Sequence, residues 1–179
     1  MKRLLSLAVG LVAAASLTAA AFAGPSYGAD GKIVIPENMG RWPTIGTINA
    51  LSDEGDDGTT LNTVRLDPES YETYVKTGKF PVGAMLQLEV RTPVTEDAPA
   101  RGQDTGRRRR ALAACEGREG RRGHMTFYGF GASVKVGSPI LRSQACYSCH
   151  DENAGKPDTV FLQYYPTLRE AHAGAATPQ

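Results

Sequence analysis

Residues 145–155 read ACYSCHDENAG, and this short stretch constrains the chain more than any other. Cys146 and Cys149 are three apart, so on one helical turn both sulfurs point the same way. His150 follows directly. In an exported protein Cys-x-x-Cys-His is the attachment pattern of a c-type haem: the two thiols bond vinyl-derived carbons of one porphyrin, and the histidine supplies the proximal iron ligand. Cys146, Cys149 and His150 are therefore the expected cofactor-binding residues of one covalent haem c, with His150 as the metal ligand. Two rivals fit less well. A thioredoxin-like Cys-x-x-Cys follows a strand in a βαβ chain, and no such pattern is present. A zinc site needs four ligands, and three Cys and three His stand here without finger spacing.

The position of the motif bears on the other side of the iron. His150 lies 29 residues from the end of a 179-residue chain, and none of those residues is methionine. An electron-transfer cytochrome closes its sixth coordination position with Met or His. Met39, Met85, His124 and Met125 lie upstream and His172 downstream. Each suits a packing or surface role better, and the polar tail around His172 reads as frayed. The expectation is five-coordinate iron with an open distal side that binds or transforms a small molecule. The alternative is a six-coordinate electron-transfer cytochrome.

The N-terminus tells where the chain works. Lys2 and Arg3 precede an apolar run from Leu4 to Ala20, and Ala21-Phe22-Ala23 has the small-x-small form of a cleavage site. Residues 1–23 read as a secretory signal, which in a bacterium implies the periplasm. Residues 24–179 then suit a single domain. They carry 18 basic and 19 acidic residues, a balance that calls for no nucleic-acid partner. They also lack an apolar stretch near 18 residues, so no membrane association is expected after cleavage.

Local patterns give a β-rich body with a few short helices. KIVIP at 32–36 is a short strand or extended arm, and LNTVRL at 61–66 a strand. DPESYETYVKTG reads as a helix with both ends marked: Asp67 caps it, Pro68 and Glu69 suit its first turn, Lys76 its last, and Gly78 supplies the left-handed stop. Tyr71, Tyr74 and Val75 form its packing face. In the strand at 84–92, Met85, Gln87 and Glu89 alternate with Leu86, Leu88 and Val90, which predicts one buried face. Residues 124–137 read as a bent strand or a hairpin.

Residues 101–124 stand apart. They hold 8 of the 14 arginines and the unpaired Cys115, with no helical or strand period. One account is a basic solvated loop that docks an acidic partner.

The run ACYSCHDENAGKPDTVFLQYYPTLRE resembles the C-terminal signature of the cytochrome P-460 family. DPESYETYVKTGKFPVGAMLQLEV resembles that family's helix–turn–strand segment, and TFYGFG its aromatic strand. The resemblance implies a mainly β (α+β) fold, an antiparallel sheet with a few short helices and a C-terminal haem-attachment segment, usually as a homodimer. It also implies one of two functions. Some members oxidise hydroxylamine on a haem crosslinked to a lysine and pass electrons to a partner cytochrome. The relatives called cytochrome c′-beta lack the crosslink and bind nitric oxide or carbon monoxide in an apolar pocket. The crosslinking lysine belongs on the strand after FPVG, where this chain has none; Gln87 stands about there, and Lys76 and Lys79 lie nearby in sequence. Phe80, Phe127 and Phe130 are candidates for lining an apolar distal pocket. The family also places an apolar strand where 101–124 stands, so a second account of that stretch is a frameshift in the coding sequence.

Overall fold

The computed structural model describes residues 26–28, 30–51, 59–94, 104–115, 125–130, 135–154 and 159–176. Residues 1–23, read from the sequence as a secretory signal, lie outside them. Among the described residues eight strands form a wholly antiparallel ladder in the order β1-β2-β8-β7-β6-β5-β4-β3. They are β1 (Ser26–Tyr27), β2 (Ile33–Val34), β3 (Thr44–Leu51), β4 (Thr59–Leu66), β5 (Met85–Val94), β6 (Asp104–Cys115), β7 (Met125–Phe130) and β8 (Val136–Pro139). Strands β3 to β7 make the body. β8 joins it to a small flap: Val136 and Gly137 pair with β2, while Ser138 and Pro139 pair with β7. The segment after Met125 is therefore a hairpin. Three helices complete the α+β fold: α1 (Pro68–Thr77), α2 (Ala145–Asn153) and α3 (Pro166–Ala176). Among the described residues no helix is long and apolar enough to cross a membrane.

Helix α1 forms as its end signals require. The Asp67 carboxylate accepts Ser70 N–H at 2.9 Å with Oδ1 and Met85 N–H at 2.7 Å with Oδ2. Its own N–H donates to the Met85 carbonyl at 3.0 Å. One buried side chain thus caps the helix and fastens it to the start of β5. Gly78 ends the helix at φ 67. A Cβ there would meet the His172 ring at 2.8 Å, so glycine also lets α3 approach.

That approach corrects the reading of the tail as frayed. α3 packs on α1 and β3. Leu168 is fully buried, and the His172 ring donates from Nδ1 to the Val75 carbonyl at 2.8 Å, an orphan acceptor in the last turn of α1. Tyr165, just before α3, lies over the backbone of Gly46, where a Cβ would sit 2.5 Å from the ring.

The arginine-rich stretch also departs from expectation. Residues 104–115 are a strand, paired along its length with β5 and with β7 from Arg110 to Cys115. A central position offers backbone partners on both edges, and that ladder overrides a sequence with no strand period.

Strand β5 departs in a different way. It buries both faces, because the sheet separates two apolar layers. Leu86, Val64, Leu66, Phe127, Tyr74, Tyr147, Tyr165 and Leu168 share one core, on the side of the helices. Met85, Tyr128, Phe130, Met39, Trp42 and Ile33 share the other, covered by the N-terminal segment. By alternation Gln87 and Glu89 face this second core with Met85. They are 1% and 4% exposed. Glu89 is paired with Arg91 at 2.7 Å and with Arg65 at 3.7 Å, while both Gln87 amide atoms are buried with no hydrogen-bond partner among the described residues.

Two outcomes are expected. Gln87→Met removes the orphaned amide at nearly constant volume and should raise unfolding free energy by about 1–3 kcal/mol; an unchanged denaturant midpoint would reveal a bridging buried water. Burial pushes the Tyr165 hydroxyl up to about 12. The folded state therefore holds this proton longer than the unfolded chain, so its contribution is complete below pH 10 and is lost toward pH 12, roughly 2–3 kcal/mol in all. Tyr165→Phe should flatten that part of the stability–pH curve, and an equal alkaline loss in both proteins would refute the assignment.

Candidate haem-attachment site

Helix α2 carries Cys146, Cys149 and His150, with Gln144 at its N-cap and Ala154 at its C-cap. Both cysteines are free thiols and exposed, and His150 is half-buried. The helix is held to the sheet through Tyr147, one of the two residues between the thiols. Its ring meets Phe127 edge-on at 4.9 Å, and its hydroxyl accepts the Phe127 backbone N–H at 3.3 Å. The Arg142 guanidinium lies 5.1 Å from the same ring. Tyr147 thereby turns Cys146 and Cys149 toward solvent while the imidazole three positions further sinks against the core.

The imidazole is tightly surrounded. Phe127 lies 4.5 Å and Phe161 4.6 Å from its ring centre, and Tyr164 stacks on Phe161 at 5.7 Å. His150 Nδ1 is 2.7 Å from the Thr159 carbonyl. A carbonyl only accepts, so Nδ1 carries the proton and Nε2 keeps its lone pair. Burial holds the imidazole below the usual histidine range, against opposing contributions from the Thr159 bond and Asp151. The ring is thus neutral near pH 7, the form a metal ligand needs. Two exposed thiols on one helical turn and a neutral imidazole with Nε2 uncommitted fit a c-type haem.

The segment after α2 locks this arrangement. Asn153 Nδ2 donates to the Cys149 carbonyl at 3.0 Å, and Gln163 Nε2 donates to the Asn153 carbonyl at 3.0 Å. Val160 is buried, and Leu162 to Tyr164 form one 3-10 turn. In the FLQYYPTL run, Phe161 packs on the histidine, Gln163 closes the end of α2, and Tyr165 and Leu168 enter the core.

The family model for cytochrome P460 matches residues 36–162. The chain belongs to the cytochrome P460 family. Membership makes it a monohaem c-type cytochrome. Comparison with curated proteins returns no match.

The structure places the other residues singled out from the sequence in different surroundings. Gln87 faces the core opposite α2, so the positions of β5 on the α2 side are Leu86, Leu88 and Val90. Lys76 and Lys79 are exposed. Phe130 belongs to the opposite core, Phe127 packs on His150 itself, and Phe80 packs on Tyr74 at 4.7 Å. Met39 and Met85 are likewise in the opposite core, and His172 is committed to α1. Met125 is buried on the α2 side. His124 lies outside the described residues. Among the described residues no three of His, Cys, Asp and Glu gather as a metal-holding group. Tyr147, Thr159 and Phe161 were not foreseen. Tyr147 is legible in hindsight as the lone aromatic inside the motif, and Phe161 as the start of the aromatic run, whereas a backbone carbonyl nine residues away leaves no trace in side-chain identity.

Tyr147→Phe strands a buried N–H and should cost about 1–3 kcal/mol of stability. Tyr147→Ala should cost about 3–5 kcal/mol and lower the yield of haem-loaded protein. Denaturant unfolding and haem content per chain measure both, and a Phe variant as stable as wild type would show that the hydroxyl carries nothing.

Proposed function

We propose that the protein is an exported cytochrome whose single haem c is attached by thioethers at Cys146 and Cys149, with His150 as axial ligand through Nε2. On this reading the far side of the iron is open and captures nitric oxide or carbon monoxide. The haem supplies the iron that binds the gas. The chain supplies a neutral imidazole held in one tautomer, two anchoring thiols and apolar walls that keep water away.

One observation carries the choice of ligand: the β5 positions on the α2 side are Leu86, Leu88 and Val90, with no lysine for a crosslink and no acid–base group among them. Apolar walls suit an uncharged diatomic, which needs no proton transfer. A second reading has its own support. Asn62 pairs with Val90 and so shares that face, and its Oδ1 is buried without a hydrogen-bond partner. Such an acceptor suits the N–H or O–H of hydroxylamine, whose oxidation would pass electrons to a partner cytochrome. Among the described residues, Met125 on the α2 side is the candidate sixth ligand of a six-coordinate electron carrier. A homodimer in the periplasm is part of the proposal.

The spectrum of the reduced protein separates these. High-spin ferrous iron that binds carbon monoxide is expected, with an ordinary haem c spectrum in alkaline pyridine. A low-spin spectrum indifferent to carbon monoxide would sink the open site in favour of methionine ligation. Hydroxylamine consumption with a chemical oxidant, above that of free haem and reduced in Asn62→Leu, would replace gas capture by the enzymatic reading.

A further inference from the structure

Thr159 has φ 50, the sole positive φ of a non-glycine residue among those described. A β-branched residue is disfavoured there, because its Cβ crowds the backbone carbonyl. Such a conformation persists only where its surroundings over-determine it, and here they do. The Thr159 carbonyl takes the His150 Nδ1–H at 2.7 Å. The next residue, Val160, is buried in the helix-side core, and its carbonyl accepts Leu162 N–H at 2.7 Å. Gln163 then reaches back to the end of α2. The turn is fastened at Thr159 and at the residues that follow it, and what the strained residue gains is the direction of one carbonyl.

We propose that Thr159 is a positioning residue for the axial ligand: its left-handed backbone aims the carbonyl that fixes the His150 tautomer and raises electron donation from Nε2 to iron. The assignment rests on the haem reading above. An acceptor on the distant ring nitrogen makes a histidine ligand more basic, and a more basic ligand favours the ferric over the ferrous state. The role belongs to the backbone angle rather than to the threonine hydroxyl. Substitutions should therefore sort by their tolerance of positive φ and not by polarity.

Three variants of the holoprotein test this. Thr159→Gly and Thr159→Asn accept the left-handed region, whereas Thr159→Pro is confined near φ −65° and turns the carbonyl away. Haem content by intact mass comes first, and a wild-type chain without covalent haem would refute the haem reading itself. With haem in place, the iron–histidine stretch in the resonance Raman spectrum and the midpoint potential are read. The Pro variant is expected to show a lower stretching frequency and a higher potential with haem still attached, and the Gly and Asn variants to keep both at wild-type values. Wild-type values in Pro, or equal shifts in all three, would overturn the proposal. If the Pro variant does not fold, the wild type still decides: the His150 Nδ1–H resonance must be protected from exchange, and loss of that signal within the mixing time would also overturn it.

Discussion

β5 lies between β4 and β6 with an apolar layer on each side, so successive residues of one strand must satisfy two different cores. Leu86 enters the layer beneath the helices while Met85 enters the layer beneath the N-terminal segment. Much of the architecture follows from this division. The N-terminal segment from Ile33 to Trp42 is needed as a cover, because without it Met85, Tyr128 and Phe130 would face water. The helices are needed on the opposite side for the same reason. Asp67 ties the two demands together, since one carboxylate begins α1 and fixes the first rung of β5.

Helix α2 depends on that sheet more than on its own sequence. Of its described side chains only Tyr147 is buried, so α2 has no apolar stripe with which to dock. Its orientation comes from one ring against Phe127 and from the chain that returns through Thr159, Phe161 and Gln163. This explains why the motif continues past the histidine: the cysteines and the imidazole define the chemistry, and the following aromatic run holds them in place.

What could be read in advance divides along physical lines. The cap at Asp67, the stop at Gly78, the short strands at Ile33 and Leu61 and the cysteine–histidine motif are local, and local chemistry fixes them. The errors lie where long-range pairing decides. Alternation along 84–92 predicted a single buried face, but a covered central strand buries both, Gln87 and Glu89 included. Residues 104–115 lack any strand pattern and still form the strand between β5 and β7, because two neighbouring edges supply the ladder. The tail around His172 looked frayed because its anchor, the Val75 carbonyl, lies 97 residues away. Phe127 and Phe130 looked alike in sequence, yet three positions in a strand put them on opposite faces.

The two-sided strand has a consequence for how such a protein can diversify. Leu86, Leu88 and Val90 look toward the side that carries α2, whereas Met85, Gln87 and Glu89 look into a separate core with its own ion pairs. Replacements in the first set alter the surroundings of the α2 side without repacking the second. The two cores are thus written on alternate letters of one short word. A lineage can revise one set while conserving the other, which is a simple physical route to relatives that share a scaffold and differ in chemistry.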